Sequence, residues 1–206
     1  MSVKPPIKLA VLVSGNGSNL QAIIDQIEIG KLNAQIACVV SNNPEAFALT
    51  RAARHGLLAV VLENRKFKVR KEYDEALVGI LKEHNVKLIV LAGFMRILSE
   101  VMVEAFPNLI INIHPALLPA FPGLHAQKQA LDYGVKYSGC TVHLVDCGTD
   151  TGPIISQAVV PVEQDDTEEI LSARIQQEEH RILPEAVNFF VEERIFIEGR
   201  QVRIER

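Results

Sequence analysis

The sequence predicts an α/β fold with a mostly parallel sheet. Short apolar, β-branched runs alternate with longer stretches of helical periodicity up to residue 113, and a glycine-rich turn follows the first run. After residue 113 this alternation gives way to a proline-rich loop and two neighbouring strand-like runs. The whole pattern is typical of a Rossmann-like, doubly wound sheet with right-handed crossovers, here with an antiparallel C-terminal extension.

Five strands and three helices are predicted in the first part of the chain. The first strand, Ile7–Val13, is apolar and rich in β-branched residues, as expected of a strand buried on both faces. In the first helix, Leu20, Ile23, Ile24 and Ile27 recur at the spacing of one helical face. The remaining strands are expected at residues 35–40, 57–62, 87–92 and 109–113, and the helices at 19–29, 44–55 and 67–84.

The second part of the chain begins with a loop that contains Pro115, Pro119 and Pro122, which cannot form regular helix or interior strand. A helix is expected at 125–133, antiparallel strands at 140–145 and 154–162, a long helix at 167–193 that bends at Pro184, and a hairpin at 195–204. No internal repeat or low-complexity linker is visible. We therefore expect one domain over residues 1–206, made of two halves at 1–113 and 114–206.

Composition excludes several classes of protein. The 206 residues carry a net charge of -4 without a basic patch, and tryptophan is absent, so nucleic acid is not an expected partner. The apolar run Ile7–Val13 is too short for a signal sequence or a membrane span. The three cysteines, an odd and low number, fit a reducing cytoplasm. We expect a cytoplasmic protein without a membrane partner.

A possible anion site follows the first strand, at residues 14–19 (Ser-Gly-Asn-Gly-Ser-Asn). Glycines allow close approach of a ligand, and the following helix N-terminus offers backbone N–H groups to a phosphate. The loop lacks the Lys of a Walker A motif, and Leu20 stands where a dinucleotide fingerprint has its third glycine. A monophosphate site and a turn that merely caps the helix both remain open.

A second candidate site lies at the end of the fifth strand. Asn112 and His114 are two residues apart, so they point to the same face of the strand. An Asn can donate to a developing oxyanion and a His can exchange a proton near neutral pH, although a capped strand end remains the simpler interpretation. Cys140, His143 and Cys147 do not predict a metal site, because Cys140 and His143 have opposite parity on one strand.

Longer motifs around these residues resemble those of formyltransferases that use 10-formyltetrahydrofolate. The segment from Asn112 to His125 resembles the core motif of that family, and the match continues through Gly139–Asp146 and Asp150–Ile154. Further matching segments are Gly15–Leu20, Leu91–Leu98, Ser41-Asn42, Arg70 with Tyr73-Asp74, and Gln177–His180. The resemblance covers nearly the whole chain and is closest to members that formylate glycinamide ribonucleotide.

The resemblance implies a phosphate-binding half at 1–113, a folate-binding and catalytic half at 114–206, and a role for each matching residue. Asn112, His114 and Asp150 match the catalytic trio, and the phosphate of the ribonucleotide is expected at Gly17, Ser18 and Asn19, with Glu179 contacting the same substrate. The residues expected to border the folate are Arg70, Met95, Arg96, Ile97, Leu98, Asn112, Cys140, Val145 and Asp146. Ala116 stands where the family frequently has Ser, and Thr151 where it frequently has Gly, which bears on the flexibility of the Asp150 loop.

The implied chemistry is direct acyl transfer between two nitrogens, with 10-formyltetrahydrofolate as cosubstrate and without a metal. Asn112 would stabilise the oxyanion. Asp150, if close to His114, would favour the imidazolium and raise the pKa of His114 from about 6.5. The expected partners are therefore the two small-molecule substrates, bound by a monomer or a homodimer.

Three alternatives are weighed against this hypothesis. The first is another formyl-folate enzyme. A methionyl-tRNA formyltransferase would carry a further C-terminal domain that grips tRNA, for which this sequence has neither the length nor the charge. A formyltetrahydrofolate hydrolase would carry a further N-terminal domain, whereas the first strand is expected here at Ile7. The broken glycine fingerprint disfavours a nicotinamide-dependent oxidoreductase. The set Asn112, His114 and Asp150 disfavours a phosphoribosyl-binding module without catalysis.

Overall fold

In a computed structural model, residues 5–205 are described, and residues 1–4 and 206 lie outside that part. The elements follow in the order β1 (Ile7–Val13), α1 (Ser18–Glu28), β2 (Ala34–Ser41), α2 (Phe47–Arg54), β3 (Ala59–Val61), a 3-10 turn (Asn64–Lys66), α3 (Arg70–Glu83), β4 (Leu88–Leu91), α4 (Glu100–Ala105), β5 (Ile110–His114), α5 (Ala126–Tyr133), β6 (Tyr137–Leu144), β7 (Ile154–Pro161), α6 (Glu168–Val191), β8 (Ile195–Glu198) and β9 (Gln201–Ile204).

Within residues 5–205 one seven-stranded sheet has the strand order β3-β2-β1-β4-β5-β6-β7, and β8 and β9 form a separate antiparallel hairpin. Strand β1 pairs in parallel with β2 and β4, and β2 pairs in parallel with β3, whereas β6 and β7 are antiparallel. The predicted fold class is therefore confirmed. The chain divides into two compact units between Ile111 and Asn112.

The first unit is built around β1. Residues 9–13 of this strand have no exposed surface, and Leu20 and Ile23 of α1 are equally buried. Strand β3 is three residues long rather than six, and its middle residue is only half-buried, because an edge strand has one covered side. Helix α4 was not predicted, since its six residues are too few for helical periodicity to show in the sequence.

The second unit is dominated by α6, a 24-residue helix that packs against β6 and β7. Thr167 is its N-cap, because the side-chain oxygen of Thr167 accepts the backbone N–H of Ile170 at 3.3 Å. Two acidic residues occupy the first turn, where they are favourable beside the helix N-terminus. The helix continues past Pro184, which is buried inside it. In residues 5–205 we find no helix with the length and the apolar surface required to cross a membrane.

One side chain ties the proline-rich loop after β5 to strand β6. The Oγ1 atom of Thr141 is buried, accepts the backbone N–H of Leu118 at 3.1 Å and donates to the carbonyl of Ala116 at 2.7 Å. The Nε2 atom of Gln157 on β7 donates to Thr141 Oγ1 at 3.0 Å and to the Leu118 carbonyl at 2.9 Å. The loop is thus held by polar contacts inside the second unit.

Thr141→Val tests this anchor, because valine keeps the shape and removes the hydroxyl. The buried N–H of Leu118 would lose its acceptor, and an unsatisfied buried polar group costs about 1–3 kcal/mol. We expect the free energy of unfolding, measured by urea denaturation, to fall by about that amount. Thr50→Val, on the exposed face of α2, is the control and should stay within about 0.5 kcal/mol of the parent chain. Equal stability of the two variants would show that the anchor is not needed.

Candidate functional site

The turn after β1 requires glycine at position 17. Gly17 precedes α1 in the left-handed conformation, with φ at 75°, and its carbonyl accepts the first helical bond, from Gln21 N at 3.0 Å. A Cβ atom added at Gly17 would lie 2.5 Å from the Cβ of Ala48, closer than real contacts allow. Ser18 is the first residue of the helix and Asn19 is buried. The predicted loop therefore presents a helix N-terminus, the arrangement that binds phosphates elsewhere.

Ser14 joins three loops of the first unit. Its hydroxyl donates to Asn42 Oδ1 at 2.6 Å and accepts the backbone N–H of Met95 at 2.8 Å. Its backbone N–H donates to the Gly93 carbonyl at 3.1 Å, and its carbonyl accepts from Asn43 Nδ2 at 3.3 Å. The segments that follow β1, β2 and β4 are therefore fixed relative to one another by hydrogen bonds.

Arg51 on α2 supports the same loop and was not identified from the sequence. Its Nε donates to the Asn16 carbonyl at 2.9 Å and its Nη2 to Asn16 Oδ1 at 3.0 Å. The guanidinium also lies over the ring of Phe47, 5.0 Å from the ring centroid. A positive charge thus lies beside the loop that follows β1. A sequence separation of 35 residues gives no local pattern from which this contact could be predicted.

The second unit contains a polar cluster around the carboxylate of Asp150. Its Oδ2 accepts the backbone N–H of Gly123 at 2.8 Å and lies 3.3 Å from His114 Nδ1. Its Oδ1 lies 3.5 Å from both Asn112 Nδ2 and His143 Nε2. The structure therefore brings together Asn112, His114 and Asp150, the three residues that the family resemblance groups, and adds His143.

The two ring nitrogens of His114 face different partners. Nε2 lies 2.8 Å from the carbonyl oxygen of Phe121, which can only accept, so this nitrogen carries the proton. In the neutral ring Nδ1 is then the basic atom, and it faces the carboxylate of Asp150 at 3.3 Å. A proton added to Nδ1 would find a carboxylate acceptor already in place.

Burial lowers the pKa of His114 below its ordinary value, although the Phe121 carbonyl and the Asp150 carboxylate act to raise it. The sequence-based expectation of a raised pKa is therefore wrong in its net direction, because it considered the charge of Asp150 without the loss of water around the ring. Burial also raises the pKa of Asp150, but its interactions with the His143 ring, the Gly123 N–H and the His114 ring outweigh burial, so this pKa lies below its ordinary value. Near neutral pH the cluster thus holds a carboxylate beside a mostly neutral imidazole.

His143 is a buried member of the cluster that sequence reasoning left aside as part of a rejected metal site. Its Nδ1 lies 2.8 Å from the Leu144 carbonyl and therefore donates to it, which leaves Nε2 to accept from Asn112 Nδ2 at 3.1 Å. This contact orients the Asn112 amide with its nitrogen toward Asp150. A signal did exist, since Thr141 and His143 place two polar side chains on one face of a mostly buried strand.

The residues of the first unit predicted to border the folate fall into two groups. Arg70 at the start of α3 is exposed, and so are Met95 and Ile97. Leu98 is buried, and the guanidinium of Arg96 lies over the ring of Tyr73, 4.3 Å from its centroid. Arg96 therefore packs within the first unit instead of extending into solvent.

The predicted residues of the second unit also differ in exposure. Cys140 is buried in β6, its backbone pairs with Ala158, and burial raises the pKa of its thiol to about 12. Val145 and Asp146 follow the end of β6 and are half-buried. Glu179 is buried on α6. Among the residues described, no group of three or more His, Cys, Asp or Glu side chains is arranged to hold a metal ion.

Comparison with solved structures gives close matches over the whole chain. Glycinamide ribonucleotide transformylase 1 from Symbiobacterium toebii superposes with a TM-score of 0.97 and is 50% identical, covering 99% of this chain and 96% of that chain. The phosphoribosylglycinamide formyltransferase of Coxiella burnetii, solved with CHES, has a TM-score of 0.92 at 38% identity and covers 97% of this chain and 93% of that chain.

Sequence relatives fall into two size classes. The trifunctional purine biosynthetic protein adenosine-3 of Drosophila melanogaster is 48% identical over 186 residues, which are 89% of this chain but only 14% of that protein. The phosphoribosylglycinamide formyltransferase of Escherichia coli is 42% identical over 189 residues, which are 92% of this chain and 89% of that protein. The profile of the formyl transferase family matches residues 7–187, and the chain belongs to this family.

Proposed function

We propose that this chain transfers the formyl group of 10-formyltetrahydrofolate to the amine of glycinamide ribonucleotide, a step of purine biosynthesis. The observation that carries the proposal is the cluster in which the Asp150 carboxylate lies within 3.5 Å of polar nitrogens of Asn112 and His114. The formyltransferase relatives that match over nearly their full length support the choice of substrates.

The proposed reaction forms one carbon–nitrogen bond and breaks another. The neutral glycinamide amine attacks the formyl carbon, the carbonyl oxygen becomes an oxyanion, and the bond from that carbon to N10 of the folate then breaks. The amine loses one proton and N10 gains one, so no oxidant or reductant is consumed. Asn112 Nδ2 is the proposed oxyanion donor, because its longer contact, 3.5 Å to Asp150, is weak enough to be exchanged for the substrate oxygen.

His114 and Asp150 are proposed to hold the proton in transit. Nδ1 is the basic atom of the ring, and Asp150 Oδ2 at 3.3 Å stabilises the imidazolium that forms there. The lowered pKa of His114 keeps the ring neutral before reaction, so that it can accept the proton the amine releases. Gly123 donates to the same carboxylate oxygen at 2.8 Å, which keeps Asp150 ionised and in place.

The ribonucleotide phosphate is proposed to bind the backbone of Gly17, Ser18 and Asn19, where the start of α1 attracts anions. Arg51 adds a positive charge that is already held against Asn16. Glu179 is the proposed contact to the remainder of the ribonucleotide. We propose that the first unit is the phosphate-binding part of a single formyltransferase domain.

The folate is proposed to contact the exposed side chains of Arg70, Met95 and Ile97 and the backbone of residues 96–98 and 145–146. Cys140 and Arg96 would act as support, because one is buried in β6 and the other is stacked on Tyr73. We further propose that the reaction takes place in the cytoplasm, carried out by a monomer or a homodimer without a metal ion. The cysteines 38, 140 and 147 all have free thiols, which fits a reducing compartment.

The test of function mixes the chain with glycinamide ribonucleotide and 10-formyltetrahydrofolate and follows the folate absorbance. We expect turnover that depends on both substrates, and Asn112→Ala should lower kcat by about 10²–10³-fold, the usual cost of losing an oxyanion donor. Thr50→Val is the matched surface control and should keep the parent rate. Consumption of formyl-folate without the ribonucleotide, or formylation of methionyl-tRNA instead, would contradict the proposal.

Gly17→Ala tests the phosphate loop. The new Cβ would clash with Ala48, so the loop must shift and ribonucleotide binding should weaken at least tenfold while folate binding changes little. Gly30→Ala is the matched control, because Gly30 has φ at 73° but nothing within 4 Å of an added Cβ. Both variants suffer the same backbone strain, and only the first alters the loop. Calorimetry in which Gly17→Ala loses the folate and retains the ribonucleotide would reverse the assignment of the two binding regions.

Asp150→Asn tests the electrostatic role of the carboxylate. The substitution keeps the shape and removes the charge that raises the pKa of His114, so that pKa, measured by NMR titration, should fall further below its ordinary value. We expect kcat to fall at least about a hundredfold with nearly unchanged substrate dissociation constants. The combination with His114→Ala should be far less than additive. A His114 pKa equal to that of the parent would leave Asp150 only a structural part in the loop.

A further inference from the structure

The loop that carries Asp150 is closed at its base by the strands it connects. The backbone N–H of Leu144, at the end of β6, donates to the Pro153 carbonyl at 2.8 Å. Gly152 is packed so tightly there that an added Cβ would lie 1.8 Å from the Leu144 carbonyl oxygen. The residues between these two points form a short loop with fixed ends.

A hydroxyl latch closes the same loop from within. Thr151 Oγ1 donates to Asp146 Oδ1 at 2.6 Å, and the backbone N–H of Gly148 donates to the same oxygen at 3.0 Å. A Cβ added at Gly148 would lie 2.0 Å from Thr151 Oγ1, so the hydroxyl occupies the space that glycine leaves. Gly148 and Thr151 thus share one carboxylate oxygen of Asp146.

The backbone of Thr151 is also held from outside the loop. Arg200 Nη1 donates to the Thr151 carbonyl at 2.9 Å. Arg200 belongs to the tip of the hairpin between β8 and β9, where Gly199 turns the chain with φ at 58°. The residue directly after Asp150 is therefore bound through both its side chain and its carbonyl.

Asp150 itself has a left-handed backbone, with φ at 55°. This conformation is uncommon for a residue with a Cβ and persists only where surrounding contacts hold it. Its carboxylate reaches Gly123 and His114 from that conformation. A neighbour that fixes the turn would therefore fix the position of the carboxylate.

We propose that Thr151 is a positioning residue, whose hydroxyl bond to Asp146 holds the Asp150 carboxylate against His114. The kinetic consequence rests on the function proposed above, whereas the effect on the His114–Asp150 pair does not. Without the hydroxyl, the loop samples conformations in which the carboxylate lies farther from the imidazole and from the Asn112 amide.

The first test measures the pKa of His114 by NMR in the parent chain and in four variants, one of which is Asp150→Asn. Thr151→Val keeps the β-branched shape and removes the hydroxyl, so the pKa should fall from the parent value toward that of Asp150→Asn, since less of the carboxylate charge reaches the ring. His143, the other titratable group that faces this pair, is unchanged in every chain. Thr151→Ser retains the hydroxyl and should restore the parent pKa. Thr149→Val removes an exposed hydroxyl of the same loop and should leave the pKa as in the parent.

The second test is a kinetic cycle. Thr151→Val should lower kcat about two- to tenfold, the range that one net hydrogen bond accounts for, with unchanged substrate dissociation constants. In the Asp150→Asn background the same substitution should have no further effect, because its action passes through the carboxylate.

Two results would overturn the proposal: a His114 pKa in Thr151→Val equal to that of the parent, or an equal loss of kcat in both backgrounds. A parent chain without formyl transfer would contradict the proposed function alone. The pKa comparison would still decide the role of Thr151, because it needs no substrate.

Discussion

The constraint on which the second unit depends is the partial burial of a charged carboxylate. An ionised Asp removed from water must be surrounded by donors, or it takes up a proton instead. For Asp150 the backbone N–H of Gly123 and the amide of Asn112 are donors in the resting state, and the ring of His114 becomes a third donor when Nδ1 takes up a proton. A single anion therefore joins the end of β5, the loop after it and the loop after β6.

The same constraint explains why the loop after β5 is anchored on two sides. Thr141 binds its beginning through the backbone at positions 116 and 118. The later part presents the Phe121 carbonyl to His114 and the Gly123 N–H to Asp150. One loop thus supplies an acceptor to the imidazole and a donor to the carboxylate, and it can do both only if its backbone is held in place.

The sequence predicted those features that repeat or that act locally. Apolar runs identified the strands of the parallel sheet, parity placed Asn112 and His114 together, and the glycines located the turn that Gly17 forms. Helix α4 was not predicted because its six residues are too few to show helical periodicity. The family resemblance contributed Asp150, whose distance from His114 along the chain gives no periodic signal.

Features that depend on packing between distant segments could not be predicted. Arg51 reaches Asn16 only because α2 lies beside the turn after β1. The direction of the His114 pKa shift depends on how completely the ring is removed from water, which neither residue type nor spacing reports. The hydrogen bond between Thr151 and Asp146 likewise could not be predicted, although Thr151 departs from the family pattern.

The unequal burial of the cysteines makes the Asp150 loop accessible to chemical labelling. Cys38 and Cys140 are buried, and burial raises the pKa of their thiols to about 11 and about 12, so few thiolates are available at either position. Cys147 is exposed in the loop between β6 and β7. A maleimide fluorophore added to the unmodified chain would therefore attach beside the Asp150 turn and report its motions without any engineered cysteine.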